Sequence, residues 1–98
     1  MSMYICKLES GKDIISPKLT VLHKKIEDEI GEGKISYEIL SFMYQGLTKM
    51  RSGIKEIHKV RKVDYFRDEL ELRFPDYKDN KAKEKYYINK LLKLNEIY

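Results

Sequence analysis

The chain has a single cysteine, Cys6, so no disulfide can close within it. Without disulfides, an intracellular setting is the simplest expectation. Cys6 sits in an expected strand beside the apolar Tyr4 and Ile5, which reads as a buried thiol rather than a nucleophile. No apolar run approaches the roughly 18 residues of a membrane span. The opening MSMYICKLES lacks an apolar leader core, so no secretory signal is expected. Amides are scarce, with three Asn and one Gln, and there is one Ala, against sixteen Lys, ten Glu and eleven Ile. Few amides beside abundant Lys and Glu is the composition of heat-adapted proteins. A dense Lys/Glu surface is ordinary in such a background, so any basic patch must be weighed against it.

Catalytic motifs are missing too. Gly11-Lys12 lacks the first glycine of a phosphate-binding loop, and Asp13 stands where Ser or Thr is needed, so SGKD reads as a turn. His23 and Glu27 share a helical face but lack a third metal ligand nearby. Asp64, Asp68, Glu69 and Glu71 form an acidic patch. With Asp76 and Asp79 they lie on a helix or in a loop, without the geometry of a two-carboxylate metal site. Asp64–Arg67 and Glu69–Arg73 read instead as surface ion pairs at helical spacing. The expectation is a protein with no enzymatic activity, metal or cofactor.

What remains is 98 residues, 42% apolar and 37% charged, enough for one small domain with one core. MYICKL (3–8) and Ile14-Ile15 flank the SGKD turn and predict a short hairpin arm over residues 1–15. Ser16-Pro17 predicts a helix start, followed by the stripe Leu19, Leu22, Ile26, Ile30 and the terminator Gly31. Ser36 predicts the next cap, with Ile35 and Leu40 as a hydrophobic staple. Four helices follow from the periodicity, near 17–30, 36–50, 54–73 and 80–96. The third carries Ile54, Ile57, Val60, Val63, Phe66 and Leu70 at spacings of mostly three, so its stripe drifts. Ser52-Gly53 marks a break before it. Asp79 or Asn80 caps the fourth. The fold expected is mainly α, a bundle of about four helices. Its expected core holds Leu22, Ile26, Leu40, Met43, Leu47, Ile57, Val63, Leu70 and Leu91.

The charge is uneven. Residues 1–50 balance seven Lys with seven acids, while residues 51–98 hold thirteen Lys and Arg against nine acids. Within RSGIKEIHKVRK (51–62), Arg51, Lys55, Lys59 and Lys62 would fall within about 80° on a helix, a strip of roughly 16 Å free of acids. Such a strip suits phosphates and predicts nucleic-acid contact without sequence reading. A second cluster, KAKEKYYINK (81–90), places Lys83 and Lys90 beside Tyr86, a secondary candidate for phosphate contact and base stacking. Leu91, Leu94 and Tyr98 on the last helix are candidates for docking a partner protein. The sequence therefore predicts a basic, intracellular protein that is nucleic-acid-binding, to DNA or RNA, or an accessory subunit of a replication or transcription assembly, with nucleic acid or a larger protein complex as partner. A protein–protein adaptor or inhibitor is the alternative.

Overall fold

The computed structural model describes residues 1–51 and 53–98. Among them are three strands, β1 (Ser2–Leu8), β2 (Asp13–Ser16) and β3 (Ile54–Arg61). Five helices accompany them: α1 (Leu19–Ile30), α2 (Tyr37–Tyr44), α3 (Lys62–Tyr65), α4 (Arg67–Arg73) and α5 (Lys81–Leu94). A 3-10 turn occupies Pro75–Lys78. The strands form one antiparallel sheet in the order β2-β1-β3. The fold is mixed α/β, which corrects the expectation of a mainly helical bundle.

The correction lies in residues 54–61. Ile54, Ile57, Val60 and Val63 are all β-branched, which favours a strand. Their three-residue spacing has a strand explanation. The register shifts between Lys7 and Leu8, so Leu8 faces Ile54 while Cys6 faces Ile57. This bulge inserts Lys55 as an extra residue and turns Ile54 and Ile57 to the same face. Val60 pairs with Met3 and belongs to the opposite face. The expected break at Ser52-Gly53 lies partly outside the described residues. Gly53 has φ 79°, a backbone conformation that favours glycine, and leads directly into β3.

Burial on both faces of the sheet makes two cores. On one face Cys6, Leu8, Ile14, Ile54 and Ile57 pack with Leu19, Leu22 and Ile26 of α1 and Leu40 and Met43 of α2. On the other, Met3, with Val60 and Ile15 beside it, packs with Val63, Phe66, Leu70, Tyr77, Ile88, Leu91 and Leu92. The sheet is therefore the middle layer, with α1 and α2 on one side and α3–α5 on the other. All the expected core residues are buried except Leu47, which is 68% exposed.

Leu47 is exposed because α2 ends at Tyr44, not near residue 50. Gly46 has φ 76°; its N–H donates to the Met43 carbonyl (3.1 Å), and the Leu47 N–H donates to that of Phe42 (2.9 Å). This pair of bonds is a Schellman stop, which glycine favours. Gly46 terminates the helix rather than sitting inside it. The start of α1 also differs. Ser16 is taken up by β2 opposite Tyr4, so α1 begins at Leu19 without a side-chain cap. Ser36 and Asn80 do cap α2 and α5, accepting from Ile39 N–H (3.2 Å) and Lys83 N–H (2.9 Å). Among the described residues, no helix is long and apolar enough to cross a membrane.

Candidate nucleic-acid interface

The helical strip expected over 51–62 does not form, because its residues are not on one helix. Arg51 precedes β3 and hydrogen-bonds the Thr48 hydroxyl (2.9 Å). Lys55 is exposed in the bulge, Lys59 is exposed on the strand, and Lys62 begins α3 half-buried. A strand rises about 3.3 Å per residue and alternates its side chains, so the narrow 80° sector has no counterpart there.

An acid-free basic face exists elsewhere, on α5. Lys81, Lys85, Asn89 and Lys93 follow one another at intervals of four, and all are exposed. At about 100° per residue they wind through roughly 120°, over about 18 Å of helix, and Tyr86 and Lys90 continue the same side. Glu84 falls outside this sector, between Leu91 and Ile88 on the side that packs inward. Ile88, Leu91 and Leu92 on that inner face hold α5 to the second core and fix the orientation of the basic side.

Two hollows flank the strip. The first, about 340 Å³, is lined by Arg61, Lys62 and Val63 from the β3–α3 junction and by Lys81, Glu84, Lys85 and Ile88 from α5, with Met1 at its side. It brings together the two basic clusters of the sequence. β3 delivers Arg61 and Lys62 here because Lys62 N–H donates to the Met1 carbonyl (3.1 Å), continuing the ladder into α3. The second hollow, about 470 Å³, is lined by Tyr86, Asn89, Lys90 and Lys93. The Lys90 ammonium lies 5.7 Å from the centroids of both Phe74 and Tyr86, a cation–π arrangement that leaves Tyr86 61% exposed.

The secondary candidates separate on inspection. Lys83 is engaged by Asp79 (3.2 Å) and Asp76 (3.3 Å), and these partners raise its pKa, so its charge is already matched. Tyr86 and Lys90 remain available. Tyr87 stacks on Phe74 at 4.5 Å and donates its hydroxyl to Asp76 (2.8 Å), a bond that lowers the Asp76 pKa. Leu91 is fully buried and offers no docking surface, while Leu94 and Tyr98 are 61% and 66% exposed. The Tyr98 carbonyl accepts from the buried Ser16 hydroxyl (2.6 Å) and from Lys25 (3.2 Å), which fastens this end of the chain to β2 and α1.

The other candidate chemistry resolves into structure. His23 donates through Nε2 to the Ile35 carbonyl (2.7 Å), and its Nδ1 lies 3.4 Å from Glu27, so both ring nitrogens are in use. Burial pushes the Cys6 thiol up to about 12. Arg67 pairs with Asp64; Glu69–Arg73 does not form among the described residues. No cluster of three or more His, Cys, Asp or Glu side chains gathers among the described residues.

Arg61, Asn89 and Lys93 were not singled out as site residues from the sequence, and Lys81 and Lys85 stand out there only as members of the basic cluster 81–90. The four-residue spacing of Lys81, Lys85, Asn89 and Lys93 was a signal that identifies the strip without coordinates. Arg61 had no such signal, because its approach to Lys85 depends on how β3 and α5 pack. Compared with known proteins, the chain matches no family model, no curated protein and no solved structure.

Proposed function

We propose that the protein is a non-enzymatic, intracellular nucleic-acid-binding accessory subunit that grips phosphates along the outer face of α5. The observation that carries this reading is the exposed, acid-free run Lys81, Lys85, Asn89, Lys93, with Arg61 and Lys62 facing its first turn. Lysine and arginine bind phosphates through charge and counterion release, which gives affinity and position without sequence reading. The length of the run, about 18 Å, spans several phosphates of either a duplex or a single strand. Tyr86 and Lys90, alongside the run, supply an exposed ring and a cation beside it. Bases stack on such rings without regard to sequence. No cofactor enters this reading.

The test replaces Lys85 and Lys93 together with Gln, which keeps helix propensity and removes two charges. Binding to duplexes of unrelated sequence is expected to weaken equally. The slope of log K against log salt is expected to shrink by about 0.9 per lost contact on a duplex, or about 0.7 on a single strand. Wild-type protein that fails to bind either form at low salt refutes the reading. So does an unchanged slope in the double variant.

A further inference from the structure

The two edges of the sheet are finished differently. On the β2 side, Leu8 N–H donates to the Lys12 carbonyl (2.9 Å), which sets the register. By alternation the backbone groups of Asp13 and Ile15 point away from β1. The Lys25 ammonium caps that outward Ile15 carbonyl at 3.2 Å, and α1 lies alongside. The β3 side has no such cover. The bond from Lys62 N–H to the Met1 carbonyl fixes which residues face β1. Counting back from it, Val60, His58 and Glu56 bond inward, while Ile57, Lys59 and Arg61 turn both N–H and C=O outward. Among the described residues, no hydrogen bond from another element meets those outward groups.

The charges along this edge are largely uncommitted. Lys55 and Lys59 are exposed and make no ion pair among the described residues. Arg61 is 70% exposed and touches Asp64 only at 4.0 Å. The strand's own acid, Glu56, is held by His58 at 3.0 Å. We propose that the β3 edge binds an extended acidic segment of a partner protein as a fourth, antiparallel strand, with carboxylates two residues apart opposite Lys59 and Arg61.

Three physical points select this occupant. An open edge offers donors and acceptors in alternation, which a peptide backbone matches group for group. A phosphodiester carries acceptors only and leaves the outward carbonyls unmet. A second copy of β3 brings Lys55, Lys59 and Arg61 against their own kind, and like charges across a strand pair are unfavourable. The lysines that discourage self-pairing therefore also select an acidic strand. This binding shares Arg61 with the hollow beside α5 but rests on the outward backbone of β3 and on Lys59.

The experiment measures fluorescence anisotropy of a labelled octapeptide of alternating Thr and Glu added to the intact protein. Two N-methylated forms are compared, one blocked on each alternate set of amides. Saturable binding is expected, at least tenfold weakened by one methylated set and little changed by the other. Lys59→Pro, which blocks the outward edge, and Lys59→Glu/Arg61→Glu are each expected to abolish it. Lys85→Gln/Lys93→Gln is expected to leave it intact, whether or not that variant retains nucleic acid. Absence of saturable binding overturns the proposal. So does equal sensitivity to both methylated sets, which marks mere charge attraction. Displacement of the peptide by a short duplex that persists undiminished in Lys85→Gln/Lys93→Gln assigns the β3 cations to phosphates and overturns it as well. Concentration-dependent dimerisation lost in Lys59→Pro gives the edge to a second copy, with the same consequence.

Discussion

Proline substitution at two adjacent positions of β3 separates a strand from a helix and also fixes the register. Val60 faces Met3 in the ladder, and Met3 is fully buried. The bond between Lys62 N–H and the Met1 carbonyl places Val60 N–H on the inward side, donating to the Met3 carbonyl. Val60→Pro removes that donor and leaves a buried carbonyl unpaired, which costs about 1–3 kcal/mol beyond the side-chain change. Lys59 N–H points outward, so Lys59→Pro forfeits no ladder bond and falls where edge strands tolerate proline. Its cost is confined to backbone strain. Val60→Ala and Lys59→Ala serve as controls for the lost side chains. With eight Tyr and no Trp, urea unfolding is followed by circular dichroism together with tyrosine emission. The corrected difference between the two proline variants is expected to be at least about 1 kcal/mol, a shift of several degrees in Tm for a domain of this size. In a helix interior both prolines cost about 3 kcal/mol or more. Equal losses therefore refute the strand, and a larger loss for Lys59→Pro refutes the register.

Two further outcomes follow from burial. Leu40→Ala is expected to destabilise by about 2–5 kcal/mol, whereas Leu47→Ala stays within about ±0.5 kcal/mol in the same unfolding assay; comparable losses contradict the stop at Gly46. Cys6 is expected to resist thiol reagents at pH 8 in the folded protein and to react on unfolding. The unfolded thiol ionises near 9.0 and the folded one near 12, so the stability it contributes is intact below pH 9 and declines as pH rises toward 12. Cys6→Ala removes that part of the alkaline slope, and a folded protein that reacts as fast as a free thiol refutes the burial.

Local signals sufficed wherever one segment determined its own structure. The stripe Leu19, Leu22, Ile26 identifies the buried face of α1 because a helix has a fixed period and one core-facing side. Ser36 and Asn80 are legible as caps because their side chains satisfy N–H groups only three residues away. The hairpin of β1 and β2 is legible from its turn residues. Even the basic run on α5 is a matter of counting by fours.

Residues 54–61 are different, because their state depends on what lies far away in sequence. Spacings of three suit a helix in isolation. They also suit a strand with one bulge and burial on both faces, and only the partner strand β1 and the two helical layers supply those conditions. The β-branched residues and the drift of the stripe hinted at a strand, but local energies of a few tenths of a kcal/mol do not outweigh such a choice. Tertiary packing then rearranged the chemistry. It dispersed Arg51, Lys55 and Lys59 along a strand and its approach, and carried Arg61 and Lys62 to α5. Charge content was set by the sequence. Which charges act together was set by the sheet, because a strand and a helix distribute the same lysines over different distances and faces.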